Sequence, residues 1–384
     1  MAGTGGVRAV NGAKAVAKKG QSPPPPAATS SAPQATESSS PPGPSNETGI
    51  LPASHWEPLP ARGSADDELD DGDSAFADVA SSTASLTSSI LKYRTLHGRT
   101  YHSEIGRAEA WQPNDEQHAQ AMDLHHHMCE LLLGGKLCLT PLDPARVQKV
   151  VDIGTGTGLW AIDFGEAFPN AEVIGTDVSP LQPSWVPPNV KFELDDANLE
   201  WTWKANTFDF IHLRLMSGTI SDWASLYREA FRCCKPGGWI EHQEGSFMWR
   251  FDKGIPEDSA LGQFHKVFWE GGKKFGRTFR VVEDDIQRKY MEEAGFVDLV
   301  VKDIKCPLGD WPLDPAQKEL GTFAKATFMS DIEGYLLYIF KTVMGWTEEE
   351  TLVYCAHLRR QLKDPELQPY FLRRIVYGRK PEAS

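Results

Sequence analysis

Three glycines and four aspartates in the middle of the chain have the types and spacing of a ligand-binding site. The run "VVDIGTGTG" at 150–158 is an apolar segment that ends in Asp152 and continues into glycines at two-residue intervals. Glycine lets a backbone turn sharply and approach a ligand closely. Aspartates recur where the next two apolar segments end, as Asp177 and as the pair Asp195 and Asp196. This pattern predicts a site built at the ends of three successive strands.

The glycine spacing argues against a dinucleotide or a nucleoside triphosphate. The NAD fingerprint G-x-G-x-x-G needs its third glycine at position 159, where this chain has Leu159. A Walker loop needs Gly-Lys-Ser/Thr, whereas Gly158 is followed by Leu159 and Trp160. Asp152 would repel a pyrophosphate but suits a ligand with a cationic amino group. The loop therefore favours a nucleoside that carries an amino acid, and an NAD oxidoreductase is kept only as an interpretation that requires the spacing argument to fail.

The acids of the later strands fit the other parts of such a nucleoside. Asp177 lies nineteen residues after Gly158, where a carboxylate can accept hydrogen bonds from both ribose hydroxyls. The run Asp195-Asp196-Ala197 ends the third strand, where an acid can accept a hydrogen bond from the exocyclic amine of adenine. A single Asp at a strand end is often only a helix cap. The prediction of an S-adenosylmethionine site therefore depends on the glycine loop together with acids at the ends of all three strands.

Alternating elements are predicted to position these residues. Beyond Val147 strands and helices alternate, which predicts an α/β fold with an open parallel sheet covered on both faces. The predicted strands are "KVVDIG", "AEVIGTDVS", "VKFELDDA", "FDFIHLR", "GGWIEHQE", "VDLVVKDIKCPLG" and "PYFLRRIVYGRK". Between the last two, residues 311–366 are predicted to form a helical insertion with a capping box at Thr347 and Glu350. This insertion is a candidate wall of a substrate pocket.

The chain before these strands divides into two parts. Residues 1–88 are rich in Ser, Pro, Ala and Gly and contain the acidic run "DDELDDGD", which predicts a disordered tail, either regulatory or simply solvated. Residues 89–146 are predicted to be a helical lead-in, with a helix capped by Asn114 and ended by Gly134. Consecutive helical residues point about 100° apart. The triplet His125–His127 therefore cannot converge on one ion, and no metal is predicted.

Charge and cysteine content limit the partners and the compartment. The net charge is −14, from 39 Lys and Arg against 53 Asp and Glu, so no nucleic-acid partner is expected. No membrane association is expected either, because no run of about eighteen apolar residues occurs. The six cysteines form no CxxC pair. Free thiols predict an intracellular protein, in the cytoplasm, the nucleus or both.

From about Tyr93 to the C-terminus the sequence resembles the fungal class I S-adenosylmethionine-dependent methyltransferases of the LaeA-like group, which includes regulators of secondary metabolism. The most diagnostic stretch is 150–197, supported by "GRTYH", "NDEQHAQAMDLHHHM", "FDFIHLR", "KPGGWIEHQE" and "VYGRKPE". The resemblance implies a Rossmann-like, seven-stranded class I methyltransferase sheet with the last strand antiparallel, in a domain over 147–384.

The resemblance also implies a cofactor, S-adenosylmethionine, and roles for residues of its site. These roles are the methionine end for Asp152, Gly154, Gly156 and Gly158, the ribose for Asp177, the adenine for Asp196 and Ala197, packing nearby for Thr155 and Trp160, and the cofactor end or a carboxylate for Arg214. Val178 and Asp195 are further expected cofactor-binding residues, with no part of the cofactor assigned to them.

The catalytic residues stay open at this point. Methyl transfer is an in-line displacement, in which alignment of the reactants contributes about 7–11 kcal/mol, so a general base is optional. If the acceptor is a hydroxyl group, a base would help. The candidates at the carboxyl edge of the fourth and fifth strands are His212, Glu241, His242 and Glu244, each of which has a structural role as its plain alternative.

Two functions are compatible with these features. The first is an enzyme that methylates a small-molecule metabolite on oxygen, nitrogen or sulfur, with a link to secondary metabolism. The alternative is a regulatory protein that binds S-adenosylmethionine and acts through protein partners in a nuclear complex controlling secondary-metabolite gene expression. Nucleic-acid methylation is disfavoured, because no [DN]PP[FY] sequence follows the fourth strand.

Overall fold

Strands and helices alternate along residues 48–59, 92–103 and 109–382, the part of the chain that the computed structural model describes. The strands are β1 (Arg94–Leu96), β2 (Arg99–Tyr101), β3 (Lys149–Ile153), β4 (Glu172–Asp177), β5 (Val190–Leu194), β6 (Phe208–Arg214), β7 (Cys234–Gly245), β8 (Val297–Pro307) and β9 (Tyr370–Arg379). The helices are α1 (Glu116–Leu132), α2 (Leu159–Ala167), α3 (Trp223–Cys233), α4 (Ala260–Phe275), α5 (Ile286–Ala294), α6 (Pro315–Ser330), α7 (Ile332–Leu337) and α8 (Glu348–Leu362), with a 3-10 turn at Ala53–His55 and a π-helical segment at Tyr338–Val343.

Seven strands form one sheet in the order β5-β4-β3-β6-β7-β9-β8. Strands β3 to β7 are parallel to one another, and β9 lies antiparallel between β7 and β8. The predicted seven-stranded class I sheet with an antiparallel last strand is confirmed. The chain leaves β3 toward β4 on one side and returns to β6 on the other, so a crevice opens at the carboxyl ends of these strands.

The central strands are apolar on both faces because both faces are covered. Val150 packs with Trp160 and Phe164 of α2 in one buried cluster. Its neighbour Val151 packs with Tyr227 of α3 in another. A strand buried on both faces has to be a continuous apolar run, which is why "KVVDIG" shows no alternation of polar and apolar residues.

The predicted helical insertion at 311–366 corresponds to helices α6 to α8. Together with α1 and α4 it contributes to one large apolar cluster. Helix α8 begins with the predicted capping box, in which the Thr347 side chain accepts from the Glu350 amide and the Glu350 carboxylate accepts from the Thr347 amide. Among residues 48–59, 92–103 and 109–382, no helix combines the length and apolarity that crossing a membrane requires.

The lead-in before the sheet differs from the prediction in two respects. It contains the hairpin β1–β2 as well as a helix. The helix is capped by Asp115 and not by Asn114, because the Asp115 carboxylate accepts from the His118 amide at 3.1 Å. Arg99 of the hairpin holds that carboxylate in an ion pair, whereas the Asn114 amide lies 3.3 Å from the Ser179 hydroxyl. The helix cap thus lies one residue later than predicted, because the Asn114 side chain contacts Ser179 instead of the helix.

Part of the predicted tail packs on the domain. Ile50 and Trp56 are buried in the large apolar cluster, and the Leu51 amide donates to Gln263 Oε1 at 2.9 Å. The ring of Trp56 meets the ring of Tyr354 edge to face, with centroids 5.0 Å apart. The prediction of a disordered tail over 1–88 is therefore wrong for residues 48–59. The rest of that prediction falls outside the described residues.

Replacing Trp56 by Ala is expected to destabilise the domain. The substitution leaves a gap beside Tyr354 at the edge of the cluster, with an expected loss of about 2 kcal/mol, below the value for a central core aromatic residue. Urea unfolding of the full chain measures this loss. The matched control is Glu57→Ala, which removes an exposed side chain from the same segment. Equal stability of the two variants would contradict packing of this segment.

Candidate functional site

The glycine loop after β3 has a backbone conformation that residues other than glycine adopt only with strain. Gly154, Gly156 and Gly158 have φ angles of +69°, +59° and +85°, all in the left-handed region. The amide of Gly158 donates to the Thr155 carbonyl at 3.0 Å, which closes the turn before α2. Two-residue glycine spacing thus builds a loop that curls over the carboxyl end of β3.

Side chains beneath the loop hold it in place. Asp152 is buried and accepts from the Thr155 hydroxyl and from His212 Nδ1, each at 2.7 Å. The ring of Trp160 stacks on the ring of His212, with centroids 3.8 Å apart. Burial lowers the pKa of His212, although the hydrogen bond to Asp152 opposes this effect. Asp152, Trp160 and His212 therefore support the loop from behind.

Asp177 connects the loop to the end of β4. Its Oδ2 accepts from the Gly156 amide at 2.9 Å, and its Oδ1 accepts from the Ser179 amide at 3.0 Å. Burial raises the pKa of this carboxyl group to about 6, and the nearby charge of Asp152 adds to the increase. An ionised carboxylate has about four acceptor positions, so these backbone contacts leave acceptor capacity for a ligand.

A cleft lies at the carboxyl ends of β3 to β6. The structure brings together along it most of the predicted cofactor residues, namely Gly154, Thr155, Gly156, Asp177, Val178, Asp195, Asp196, Ala197 and Arg214. Three predicted residues are not among those that line it: Asp152, Gly158 and Trp160. Gly158 is the cap of α2 and faces the ring of Phe192. These three residues shape the loop without reaching the cleft.

One face of α1 covers the cleft, which the sequence analysis did not predict. His118, Met122 and His125 recur at intervals of four and three residues, so they lie on one side of the helix, and all three line the cleft. This periodicity is the feature of the sequence that could have identified the face of α1 that covers the cleft. Asp331 accepts from His118 Nδ1 at 2.8 Å and from Arg99. Burial opposes ionisation of Asp331, but these hydrogen bonds lower its pKa to about 2.

The three adjacent histidines of α1 point to different surroundings, as their spacing requires. His125 faces the cleft, and His127 lies 3.5 Å from Glu130. His126 Nε2 lies 2.7 Å from Asp163 Oδ2, and its Nδ1 lies 3.1 Å from Arg214. Ligand atoms of His126, Glu130 and Asp163 lie within 4.8 Å of one another. Since arginine only donates, Nδ1 accepts and Nε2 carries the proton toward Asp163, which leaves the ring no lone pair for a metal.

The catalytic candidates have structural partners. His212 supports the glycine loop, as described above. Glu241 accepts from the Leu139 and Thr140 amides at 2.9 and 2.7 Å and so anchors the segment before β3. His242 bonds to the Tyr227 hydroxyl at 2.6 Å. Of the four, Glu244 lines a cavity, and its carboxylate accepts from the Met216 amide at 2.5 Å and the Ser217 hydroxyl at 2.9 Å.

A second cavity adjoins the cleft and is walled mainly by aromatic and aliphatic side chains. These are Trp111, Met128, Phe247, Trp249, Phe264, Phe268, Leu308, Ala324, Phe328 and Phe371. Gln112, His125, Leu215 and Tyr335 line both spaces, so the two spaces meet there. Leu215 has a φ of +60°, an unusual value for a bulky residue. Such strain often marks functional sites, and here it lies at the junction.

Known proteins similar to this chain include a methyltransferase and a regulator. The Methyltransferase domain family matches residues 118–300. The chain is 36% identical over 313 residues to Methyltransferase pytC of Aspergillus terreus, covering 81% of this chain and 95% of that protein. It is 30% identical over 292 residues to Secondary metabolism regulator LAE1 of Cochliobolus heterostrophus, covering 74% of this chain and 94% of that protein.

Among solved structures, Phosphoethanolamine N-methyltransferase 2 of Haemonchus contortus in complex with S-adenosyl-L-methionine aligns with a TM-score of 0.39 at 17% identity. The alignment covers 68% of this chain and 52% of that one, so this chain spans about half the length of that protein.

Proposed function

This chain belongs to the fungal LaeA-like class I methyltransferases, which use S-adenosylmethionine, and on that basis we propose that it methylates a small, largely apolar metabolite bound in the aromatic cavity. The observation that carries this proposal is the junction at Gln112, His125, Leu215 and Tyr335, which line both the cleft and the cavity. A methyl donor in one space and an acceptor in the other would meet at that junction.

The cleft residues fit S-adenosylmethionine. Asp177 keeps acceptor capacity for ribose hydroxyls while it accepts from the Gly156 and Ser179 amides. Asp195 and Asp196 follow β5 with carboxylates suited to an adenine amine. The glycine loop allows close approach of the amino-acid end, where Asp152 adds negative charge beneath the loop. Bound there, the cofactor supplies an electrophilic methyl group.

The protein contributes alignment and exclusion of water. Helix α1 covers the cleft and is fixed by the Asp331 contacts to His118 and Arg99. The aromatic wall binds an apolar acceptor by removing its surface from water. Holding the two reactants in one covered space lowers the barrier mainly through proximity and orientation.

The pH dependence of cofactor binding tests the role of Asp177. The pKa of this residue is about 6 in the free protein. Ribose hydroxyls donate to the ionised carboxylate, so its pKa is lower in the complex and a protonated Asp177 must lose its proton on binding. We expect the affinity for S-adenosylhomocysteine to be constant above pH 7 and to fall by about tenfold per pH unit below pH 6.

Calorimetric titration between pH 5 and 8 measures that profile. Asp177→Asn is the control, because an amide does not titrate in this range. Its affinity is expected to be lower and flat across the same window. An identical slope in the variant would assign the pH dependence to another group and contradict the role of Asp177.

Transfer of a labelled methyl group tests the proposed function. The full chain is incubated with S-adenosylmethionine labelled in the methyl group and with a low-molecular-weight extract of a fungal culture. Label is expected in an organic-soluble small product. Label found in protein alone, with none in small molecules, would contradict a metabolite acceptor.

A regulatory function is the second candidate, and the similarity to Secondary metabolism regulator LAE1 favours it. In that case the protein acts through protein partners, in the nucleus. Tagged protein would then recover stoichiometric partners from nuclear extract, and substitutions in the aromatic cavity would leave that recovery unchanged.

A further inference from the structure

Arg373 is a buried cation whose hydrogen bonds do not go to an acid. It lies on β9 and is 2% exposed. Its NH1 contacts His125 Nε2 at 3.2 Å, and its NH2 contacts Cys129 Sγ at 3.2 Å. Neither of these two hydrogen-bond partners, the ones found among residues 48–59, 92–103 and 109–382, is a carboxylate. A charge removed from water without an opposite charge is unfavourable, so the site favours a negatively charged ligand group.

The neighbouring arginine shows the contrast. Arg374 points to the other face of β9, where it pairs with Asp303 at 2.7 Å and with Asp285 at 3.2 Å. Adjacent strand residues face opposite sides of a sheet. The outward arginine therefore has acid partners, whereas the inward one has no ion pair with an acid among the described residues.

The guanidinium of Arg373 is directed into the aromatic cavity. Arg373 lies opposite Gly245 of β7 in the sheet register, and both residues line the cavity. A Cβ atom at position 245 would lie 2.9 Å from Arg373 NH1. The absence of a side chain at Gly245 thus makes room for the guanidinium across the strand.

His125 connects the Arg373 guanidinium to the junction of the cleft and the aromatic cavity. Burial and the positive charges of Arg373 and Arg214 hold the pKa of His125 well below its ordinary value, so the ring is neutral. Arginine only donates, so His125 Nε2 accepts from Arg373 and its proton is on Nδ1. His125 lines both the cleft and the cavity. In this state the ring positions Arg373 and does not act as a base.

Glu244 does not supply the missing negative charge at hydrogen-bond distance. Its carboxylate lines the same cavity but is held by the Met216 amide, the Ser217 hydroxyl and His242 Nε2, the last at 3.0 Å. Because these contacts engage the carboxylate oxygens, they also argue against Glu244 as a general base. An acceptor that arrives already ionised would need no base.

We propose that the methyl acceptor is an ionised oxygen acid on an apolar ring system, and that Arg373 binds its anionic oxygen at the junction. This inference rests on the proposed function. The acceptor oxygen contributes an electron pair to the new bond with the methyl carbon, and the pair of the methyl–sulfur bond goes to sulfur. The negative charge of the acid and the positive charge of the sulfonium cancel, so no proton is released. A carboxylate on a ring system is such an acid, and a guanidinium binds it through two parallel, charge-assisted hydrogen bonds.

Two probes of nearly equal shape test this inference. The full chain saturated with S-adenosylhomocysteine is titrated by calorimetry with 2-naphthoate and with neutral 2-naphthamide. The wild-type protein is expected to bind naphthoate at least tenfold more tightly. This comparison needs no variant, so it holds even if substitutions at position 373 fold poorly.

Arg373→Met then assigns the preference. The variant is expected to weaken the binding of naphthoate at least tenfold and to keep the affinity for naphthamide within twofold of the wild-type value. Arg374→Met is expected to change neither affinity. Equal binding of the two probes to the wild-type protein, or an equal effect of Arg373→Met on both, would overturn the inference and leave the proposed function standing. Failure of both probes to bind would contradict the acceptor cavity itself, and with it both proposals.

Discussion

Gly156→Val is expected to abolish measurable binding of S-adenosylmethionine. Position 156 has a φ of +59°, and a Cβ atom there would lie 3.2 Å from Met122 Sδ. Gly156 and Met122 both line the cleft, so a branched side chain would enter the space of the ligand. Overpacking of about 1–3 kcal/mol, added to displacement of the loop, predicts at least a roughly hundredfold loss of affinity. Calorimetric titration measures it.

Gly254→Val is the matched control for backbone strain. Gly254 also has a positive φ, +77°, but a Cβ atom added there would have no atom of the described residues within 4 Å, and Gly254 is not among the residues that line the cleft. The control is expected to lose stability and to keep its affinity within twofold. Normal binding by both variants would mean that the glycine loop does not face the cofactor.

Asp177→Ala is expected to produce the second large loss. The substitution removes acceptors for the ribose hydroxyls and also frees the Gly156 and Ser179 amides that fix the loop. Leaving such polar groups unpaired costs about 1–3 kcal/mol, a roughly tenfold to hundredfold loss of affinity. Titration with S-adenosylhomocysteine and, separately, with NADH measures the loss and tests the choice of cofactor.

Glu193→Ala is the matched control for the loss of one acid. Glu193 lies on the adjacent strand β5 and pairs with Lys191 near the surface, and it is not among the residues that line the cleft. Its removal is expected to leave affinity unchanged. An Asp177→Ala variant with wild-type affinity would contradict the ribose assignment.

The glycine loop and the strand-end acids that line the cleft were largely predictable because their signals are local. The loop conformation at Gly154 and Gly156 follows from the spacing of adjacent residues, and Asp177 follows its own strand directly. The resemblance implied that Trp160 packs near the ligand, whereas its ring stacks on His212. A sequence motif identifies the loop but does not show which side of it a side chain occupies.

The insertion at 311–366 was predicted as a candidate pocket wall, and its residues Phe328 and Tyr335 line the aromatic cavity. The rest of the wall was not predictable, because it is assembled from distant parts of the chain. Phe247 follows β7, Phe268 lies on α4 and Phe371 on β9, and each has the pattern of an ordinary core residue in its own segment. The same holds for Trp56, whose partner Tyr354 is about three hundred positions away. The low-complexity composition around Trp56 conceals a short segment that packs against the domain.

The decisive measurement is a crystal structure of the full chain with S-adenosylhomocysteine. We expect the ribose hydroxyls on Asp177, the adenine beside Asp196, and the sulfur atom at the junction near Leu215 and Tyr335, facing the aromatic cavity. A ligand bound outside the cleft, or a sulfur atom turned away from that cavity, would rule out this cleft as the methyl-donor site.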